Sequence, residues 1–202
     1  MLFRSGLHTG TIGQVGAYSF FPSKNLGAFG DGGMLVTNND RVADLARMLR
    51  AHGSRKKYHN EVLGYNSRLD TLQAAILRVK LPHIDRWNEG RRQAAATYNR
   101  LLQGVSGIVT PELTPGHVFH QYTVRLIHAE RGAVQSRLEA QGISTMIYYP
   151  VPQDQLPLYA PHYSPQQESA IAAQQVLSLP IGPTLDRASI EYVARHVEDS
   201  AR

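Results

Sequence analysis

The chain has 202 residues, 42% of them apolar, which is enough to enclose a core in one or two domains and argues against disorder over most of its length. A formal net charge of +5 favours an anionic partner. The Lys and Arg residues are nevertheless interleaved with acids, and neither zinc-finger spacing nor an RNP1-type aromatic signature occurs, so a phosphorylated small molecule is expected rather than nucleic acid.

The absence of cysteine excludes disulfides and thiolate metal sites and is compatible with a reducing cytoplasm, the compartment expected here. Residues 1–10 lack a basic stretch followed by an apolar one, and no apolar run approaches the roughly 20 residues of a bilayer span, so secretion and membrane insertion are both disfavoured.

In chain order, the short apolar and aromatic run at residues 15–21 reads as a buried strand entering a glycine-rich loop, and residues 34–37 as a second strand. Asn39 or Asp40 caps a helix through Arg50, with Val42, Leu45, Ala46 and Leu49 at helical spacing and Gly53 as a stop signal. Residues 54–66 are polar and aperiodic and read as a loop. A helix begins near Asp70 and buries Leu72, Ala75, Ile76 and Val79. Pro82, which has no N–H, is placed as the first residue of a second helix running to about Leu102. Beyond Gly104 come a Pro-rich linker, an alternating strand over residues 119–127, a helix over 133–141 ended by Gly142, and a strand over 144–149. An irregular stretch with five prolines follows at residues 150–165, then helices over 168–177 and 187–197. Strands alternating with helices imply an α/β layer first and a smaller unit after it.

The stretch that carries chemistry is Ser19-Phe20-Phe21-Pro22-Ser23-Lys24-Asn25-Leu26-Gly27-Ala28-Phe29-Gly30-Asp31-Gly32-Gly33. A lysine at the end of a buried strand loses hydration, which lowers its pKa and frees its amine as a nucleophile toward a carbonyl. Ser19 adds a hydroxyl suited to phosphate, and the glycines let the backbone approach a ligand closely. Among the nine histidines, His117 and His120 form an HxxH-type pair without a carboxylate partner set, and no metal site is expected.

This stretch closely resembles the lysine signature of the DegT/DnrJ/EryC1/StrS sugar aminotransferases, which are fold-type I pyridoxal-phosphate enzymes. The resemblance continues through Arg50-Ala51-His52-Gly53, Gly64-Tyr65-Asn66-Ser67-Arg68-Leu69-Asp70-Thr71-Leu72-Gln73-Ala74-Ala75, Leu81-Pro82-His83-Ile84-Asp85-Arg86-Trp87-Asn88, His120-Gln121-Tyr122, Tyr149-Pro150-Val151-Pro152 and Leu177-Ser178-Leu179-Pro180. It implies an α/β fold: the latter part of the large, mostly parallel-sheet domain with the linking helices over residues 1–90, and the small C-terminal α+β domain over 91–202.

The resemblance further implies that Lys24 bears pyridoxal phosphate and shuttles the proton, that Ser19 binds the cofactor phosphate, and that Asn66 reaches that phosphate from the neighbouring subunit of a homodimer with shared active sites. The basic segment from Arg55 to His59, with Arg68, corresponds to the region where related enzymes hold the diphosphate of a nucleotide sugar, and Tyr148 and Tyr149 stand near the sugar nucleotide where relatives often show His-Tyr. Asp154 stands where His is common in the family, which leaves the exact sugar open. The implied reaction moves an amino group from an amino acid, glutamate by family analogy, to a nucleotide-linked keto sugar. Family members begin well upstream of Phe3, and nothing in residues 1–16 matches their stacking ring, pyridinium-pairing Asp or phosphate loop. A catalytically silent remnant that keeps an oligomerisation or nucleotide-sugar surface is therefore the alternative. A pyridoxal-phosphate sugar dehydratase would carry His in place of Lys24.

Overall fold

The structure, a computed structural model, describes residues 3–4 and 7–201; what the sequence suggests for residues 1, 2, 5, 6 and 202 lies outside them. After a short antiparallel pair, β1 (Phe3–Arg4) and β2 (Leu7–His8), strand β3 (Gly16–Ser19) runs antiparallel to β4 (Gly33–Val36), with Ser19 opposite Gly33. The expected buried strand is largely exposed. Within β3 only Gly16 is buried, and Val15 and Phe21 on either side lie open, because β4 is the one ladder partner of β3 among the described residues.

Helix α1 (Asp40–Leu49) starts where the Asn39 side chain accepts the N–H groups of Arg41 and Val42 at 3.0 and 3.2 Å. It ends at Leu49, and beyond it the N–H of Gly53 turns back to donate to Met48 O at 3.0 Å. A Cβ on Gly53 would stand 1.8 Å from Val62 O, and its φ is +72°, so only glycine fits. The polar segment expected as a loop folds back as a hairpin, β5 (Ser54–Lys56) with β6 (His59–Asn60). Its positive-φ turn residue is Tyr58 (+68°) rather than Gly or Asn, so the sequence carries no turn signal there.

Helix α2 (Thr71–Lys80) is followed by a 3₁₀ turn, Leu81–His83, and by α3 (Ile84–Leu102). Pro82 therefore lies in the turn between the helices rather than at the start of the second, in a tight turn that tolerates a missing N–H. The face of α2 that the sequence marks for burial is outside, with Leu72 68% and Val79 71% exposed. Leu77 is the buried residue of this helix.

The rest of the chain holds β7 (Ile108–Val109), β8 (Tyr122–Leu126), α4 (Arg131–Ala140), α5 (Gln167–Gln175), β9 (Val176–Leu179) and α6 (Arg187–Ala201). The sheet order is β7-β8-β9. The helix expected to reach Leu177 ends two residues earlier, and Leu177 and Leu179 become buried strand residues facing β8, an apolar run too short for periodicity to decide between helix and strand. The strand expected over 144–149 is reduced to one bridge, Met146 with Ser178, and extended backbone ends at Tyr149, whose φ is +56°. Every ladder among the described residues is antiparallel. The α/β class holds, but the mostly parallel pairing expected of the first part is not seen, because β3 and β4 are joined by a loop with no crossover helix.

Two compact units result, residues 1–86 and 87–202. In the second, α3 supplies Ala94, Ala95, Tyr98 and Leu102 to a core completed by Tyr122, Val124 and Leu126 of β8, Val134 and Leu138 of α4, Leu177 and Leu179 of β9, and the inner face of α6. The alternation in β8 is the period-2 pattern that the sequence shows. Tyr98 and Tyr122 stack at 4.8 Å, and their hydroxyls donate to Pro180 O at 2.9 Å and Asn99 Oδ1 at 2.7 Å. Among the described residues of the first unit, only Ala28, Met48 and Leu77 are buried apolar side chains. No helix of the described residues is long and apolar enough to cross a membrane.

Burial raises the pKa of both stacked tyrosines above their ordinary value near 10, and the neighbouring Tyr98 adds to the shift at Tyr122. Because the folded-state pKa is raised, the associated stability is complete below about pH 10 and is lost as pH rises beyond it toward the folded value. Alkaline titration followed by phenolate absorbance and circular dichroism should show these two tyrosines ionising together with unfolding of the second unit. Ionisation well before the loss of helical signal would contradict this packing.

Candidate functional site

Lys24 sits on a lobe that closes on itself. Its N–H donates to Phe21 O at 2.8 Å, while the neck is held by Ala28 N–H to Phe20 O and Phe20 N–H to Gly32 O, both 2.8 Å. Gly27 lies against the lobe's own backbone, where a Cβ would come within 2.3 Å of Pro22 O. Lys24 is half-buried. Ser19 stands exposed at the end of β3, its Oγ accepting Phe21 N–H at 3.3 Å, which leaves its O–H to donate. A primary amine and a hydroxyl on one loop are the group types that can add to a carbonyl and donate to a phosphate.

The sequence reading did not single out two side chains that hold this lobe to α2. Gln73 Oε1 accepts Phe29 N–H at 2.8 Å, and Lys80 Nζ donates to Gly27 O. The available signal was their spacing, since Gln73, Leu77 and Lys80 fall on one helical stripe.

Asn66 is placed by the end of α1. The last carbonyls of a helix have no partner within it, and here Tyr65 N–H donates to Leu49 O at 2.7 Å and Ser67 N–H to Arg50 O at 3.0 Å, one on each side of Asn66. Arg68 donates to Asn66 Oδ1 at 3.3 Å, so these two predicted residues come together and the amide NH₂ of Asn66 is left as the donor. Neither hydrogen bonds to Ser19 or Lys24. Leu69, which follows on the same segment, touches the lysine loop: its Cδ1 lies 3.0 Å from where a Cβ on Gly32 would stand.

In the basic hairpin, Arg55 pairs with Asp44 and Glu61, which raises its own pKa and lowers that of Asp44, chiefly through their side-chain hydrogen bond. Its guanidinium is thus engaged by two carboxylates at the surface, beside the exposed Lys56, Lys57 and His59. In the second unit, Tyr148 and Tyr149 are both exposed, and Tyr149 takes a left-handed conformation immediately before Pro150. His117 uses Nδ1 to accept Phe119 N–H at 2.9 Å, and burial lowers its pKa.

The profile of the DegT/DnrJ/EryC1/StrS aminotransferase family matches residues 4–198. A pleiotropic regulatory protein of Geobacillus stearothermophilus is 49% identical over 98% of this chain and 55% of its own length. The UDP-N-acetyl-3-dehydro-alpha-D-glucosamine 3-aminotransferase of Acidithiobacillus ferrooxidans is 46% identical over 94% of this chain and 52% of its own length. Among solved structures, Streptomyces venezuelae DesV in complex with a ketimine intermediate superposes with a TM-score of 0.87 at 45% identity, covering 98% of this chain and 54% of DesV. The chain thus spans about half the length of the relatives it matches. Because the family profile spans nearly the whole chain, the chain belongs to the DegT/DnrJ/EryC1/StrS aminotransferase family.

Proposed function

We infer that this protein transfers an amino group from an amino acid, glutamate by family analogy, to the keto group of a nucleotide-linked sugar, using pyridoxal phosphate held at Lys24. The observation that carries this reading is the pinned lobe that presents a half-buried Lys24 beside the free O–H of Ser19, in a chain of an aminotransferase family. The bound cofactor supplies a carbonyl for amine capture and an electron sink for charge developing at the neighbouring carbon.

The chain's own residues supply the rest. Lys24 anchors the cofactor through Nζ. As a free amine, Nζ would take a proton from the donor carbon and hand it back to the carbon on the cofactor side, so one group would serve as anchor and base. Ser19 O–H donates to the phosphate. Asn66, held with its amide NH₂ outward and making no bond to Ser19 or Lys24, donates to the phosphate of the neighbouring subunit's site in a homodimer.

Lys56, Lys57, His59 and Arg68 present fixed or ready positive charge for the sugar nucleotide's diphosphate. Arg55 leaves this group, since Asp44 and Glu61 occupy it. Tyr149 is held in a conformation that costs a non-glycine residue about 1–3 kcal/mol, strain of the kind that collects where a side chain must face a ligand, and with Tyr148 it is assigned to the sugar. The architecture behind this reading is the latter part of a fold-type I large domain over residues 1–90, whose parallel neighbours lie outside the ladders seen here, and the small domain over 91–202. Cytoplasmic location follows from the soluble phosphorylated reactants.

Pyridoxal-phosphate titration followed by borohydride reduction and peptide mapping tests the assignment. Label on Lys24 supports it; label on another lysine with Lys24 unmodified, or no uptake at all, would favour a protein that keeps a nucleotide-sugar surface without holding the cofactor. A shared site makes a further prediction. Mixing Lys24→Ala and Asn66→Ala proteins should restore up to about a quarter of wild-type activity, because half the dimers are hybrids and each hybrid has one intact site. No recovery at any ratio, with subunit exchange verified, would place Asn66 in its own chain's site or in none.

A further inference from the structure

We propose that Gln73 and Lys80 are positioning residues that clamp the Lys24 lobe onto α2, a role that rests on the aminotransferase reading of Lys24. The helix turns its apolar stripe outward and its mixed stripe inward, so that Gln73, Leu77 and Lys80, at i, i+4 and i+7, face the lobe. A helix that presents two polar groups on its covered face needs a polar partner for each. Both partners are backbone atoms of the lysine loop: Phe29 N–H donates to Gln73 Oε1 at 2.8 Å, and Gly27 O accepts from Lys80 Nζ.

These two backbone groups flank Ala28, which is 1% exposed and whose own N–H is bonded to Phe20 O. Three consecutive residues of the loop are therefore fixed, two of them by α2. The reach is consistent with helix geometry. Lys80 lies two turns, about 10.5 Å, beyond Gln73, and helical side chains lean toward the N-terminus, so the long lysine stem spans back to the same short stretch of loop. Its ammonium also stands 5.2 Å from the Phe29 ring centroid, a cation–π contact that holds a ring otherwise 76% exposed.

The clamp reaches Lys24 through the lobe itself. Gly27 is in contact with the carbonyls of Phe21 and Pro22, where a Cβ would lie 2.9 and 2.3 Å away, and Phe21 O accepts Lys24 N–H. Movement of Gly27 is movement of the turn that aims the Lys24 amine. Neither Gln73 nor Lys80 bonds to Lys24, so their effect is on its aim and not on its chemistry. Orientation of a reacting group affects turnover more than substrate binding.

The test uses Gln73→Leu, which keeps the shape and removes the acceptor; Lys80→Met, which keeps the stem and removes the charge; and Lys80→Arg, which keeps donor and charge. Amide hydrogen exchange across residues 27–29 and the rate of Lys24 acetylation by limiting acetic anhydride, normalised to Lys57 in the same sample, are read without cofactor or substrate. Gln73→Leu should speed Phe29 exchange about tenfold, and Lys80→Met should speed Lys24 acetylation several-fold, as loss of one local hydrogen bond allows. In the loaded enzyme both should lower kcat about tenfold with the sugar KM within about twofold, and Lys80→Arg should return acetylation and kcat toward wild type.

Unchanged exchange and acetylation in Gln73→Leu and Lys80→Met, with helical content intact, would overturn the proposal. So would exchange rising equally over the whole first unit, which would mark a merely structural role. If Lys80→Met fails to fold, Gln73→Leu and Lys80→Arg decide the matter alone. A wild-type protein that takes no pyridoxal phosphate at Lys24 would sink the aminotransferase reading, while the exchange and acetylation results still judge the clamp.

Discussion

Lys24→Arg is expected to reduce amino transfer by at least about 10³-fold while both units stay folded. Arginine keeps the positive charge and much of the length of the side chain, but a guanidinium neither adds to a carbonyl nor gives up its proton near neutral pH. Anchor and base are thus lost in one substitution. The lobe that carries residue 24 is held by backbone bonds from Phe20, Phe21, Ala28 and Gly32 and does not depend on this side chain. Activity assays beside circular dichroism, with borohydride-trapped pyridoxyl label mapped by mass spectrometry, provide the check. Retained turnover, or label that persists elsewhere at full stoichiometry in Lys24→Arg, would refute the role.

The second large effect concerns stability. Tyr122→Ala should destabilise the second unit by about 3–5 kcal/mol, since it removes a fully buried ring stacked on Tyr98 and leaves a cavity between β8 and α3. It also strips Asn99 Oδ1 of its phenol donor. Tyr122→Phe keeps the ring and loses only that hydrogen bond, so it should cost about 1 kcal/mol. Urea unfolding of the two variants separates packing from hydrogen bonding. Equal losses would mean that the hydroxyl, rather than the ring, is what this position contributes.

Much of the second unit was legible because its elements bury one face in a regular period. Tyr122, Val124 and Leu126 alternate into the core as the sequence pattern requires, and α4 stops at Gly142, whose φ is +72°. The strand at Val176–Leu179 was not legible, since four residues fit a helix end or a strand equally well until β8 is there to pair with them. The hairpin at residues 54–60 stayed hidden for a different reason, as its turn places a tyrosine where turn chemistry favours glycine.

The same division runs through the candidate site. A single sequence was enough to identify the family, because the residue types and their order carry that information, and it offered Ser19, Lys24, Asn66 and Arg68 as candidates for the site. Tertiary structure alone decided which face of α2 is covered. By apolar count Leu72, Ala75, Ile76 and Val79 should lie inside, yet Leu72, Ala75 and Val79 are exposed and Gln73 and Lys80 are half-buried beside Leu77, because the loop they meet offers a backbone N–H at Phe29 and a carbonyl at Gly27 that take polar partners. It also gave Arg55 two carboxylate partners, Asp44 and Glu61, residues 11 and 6 positions away in the chain. Composition and period describe what a segment offers; the bare backbone groups and opposite charges that other segments bring to it determine which of its faces is used.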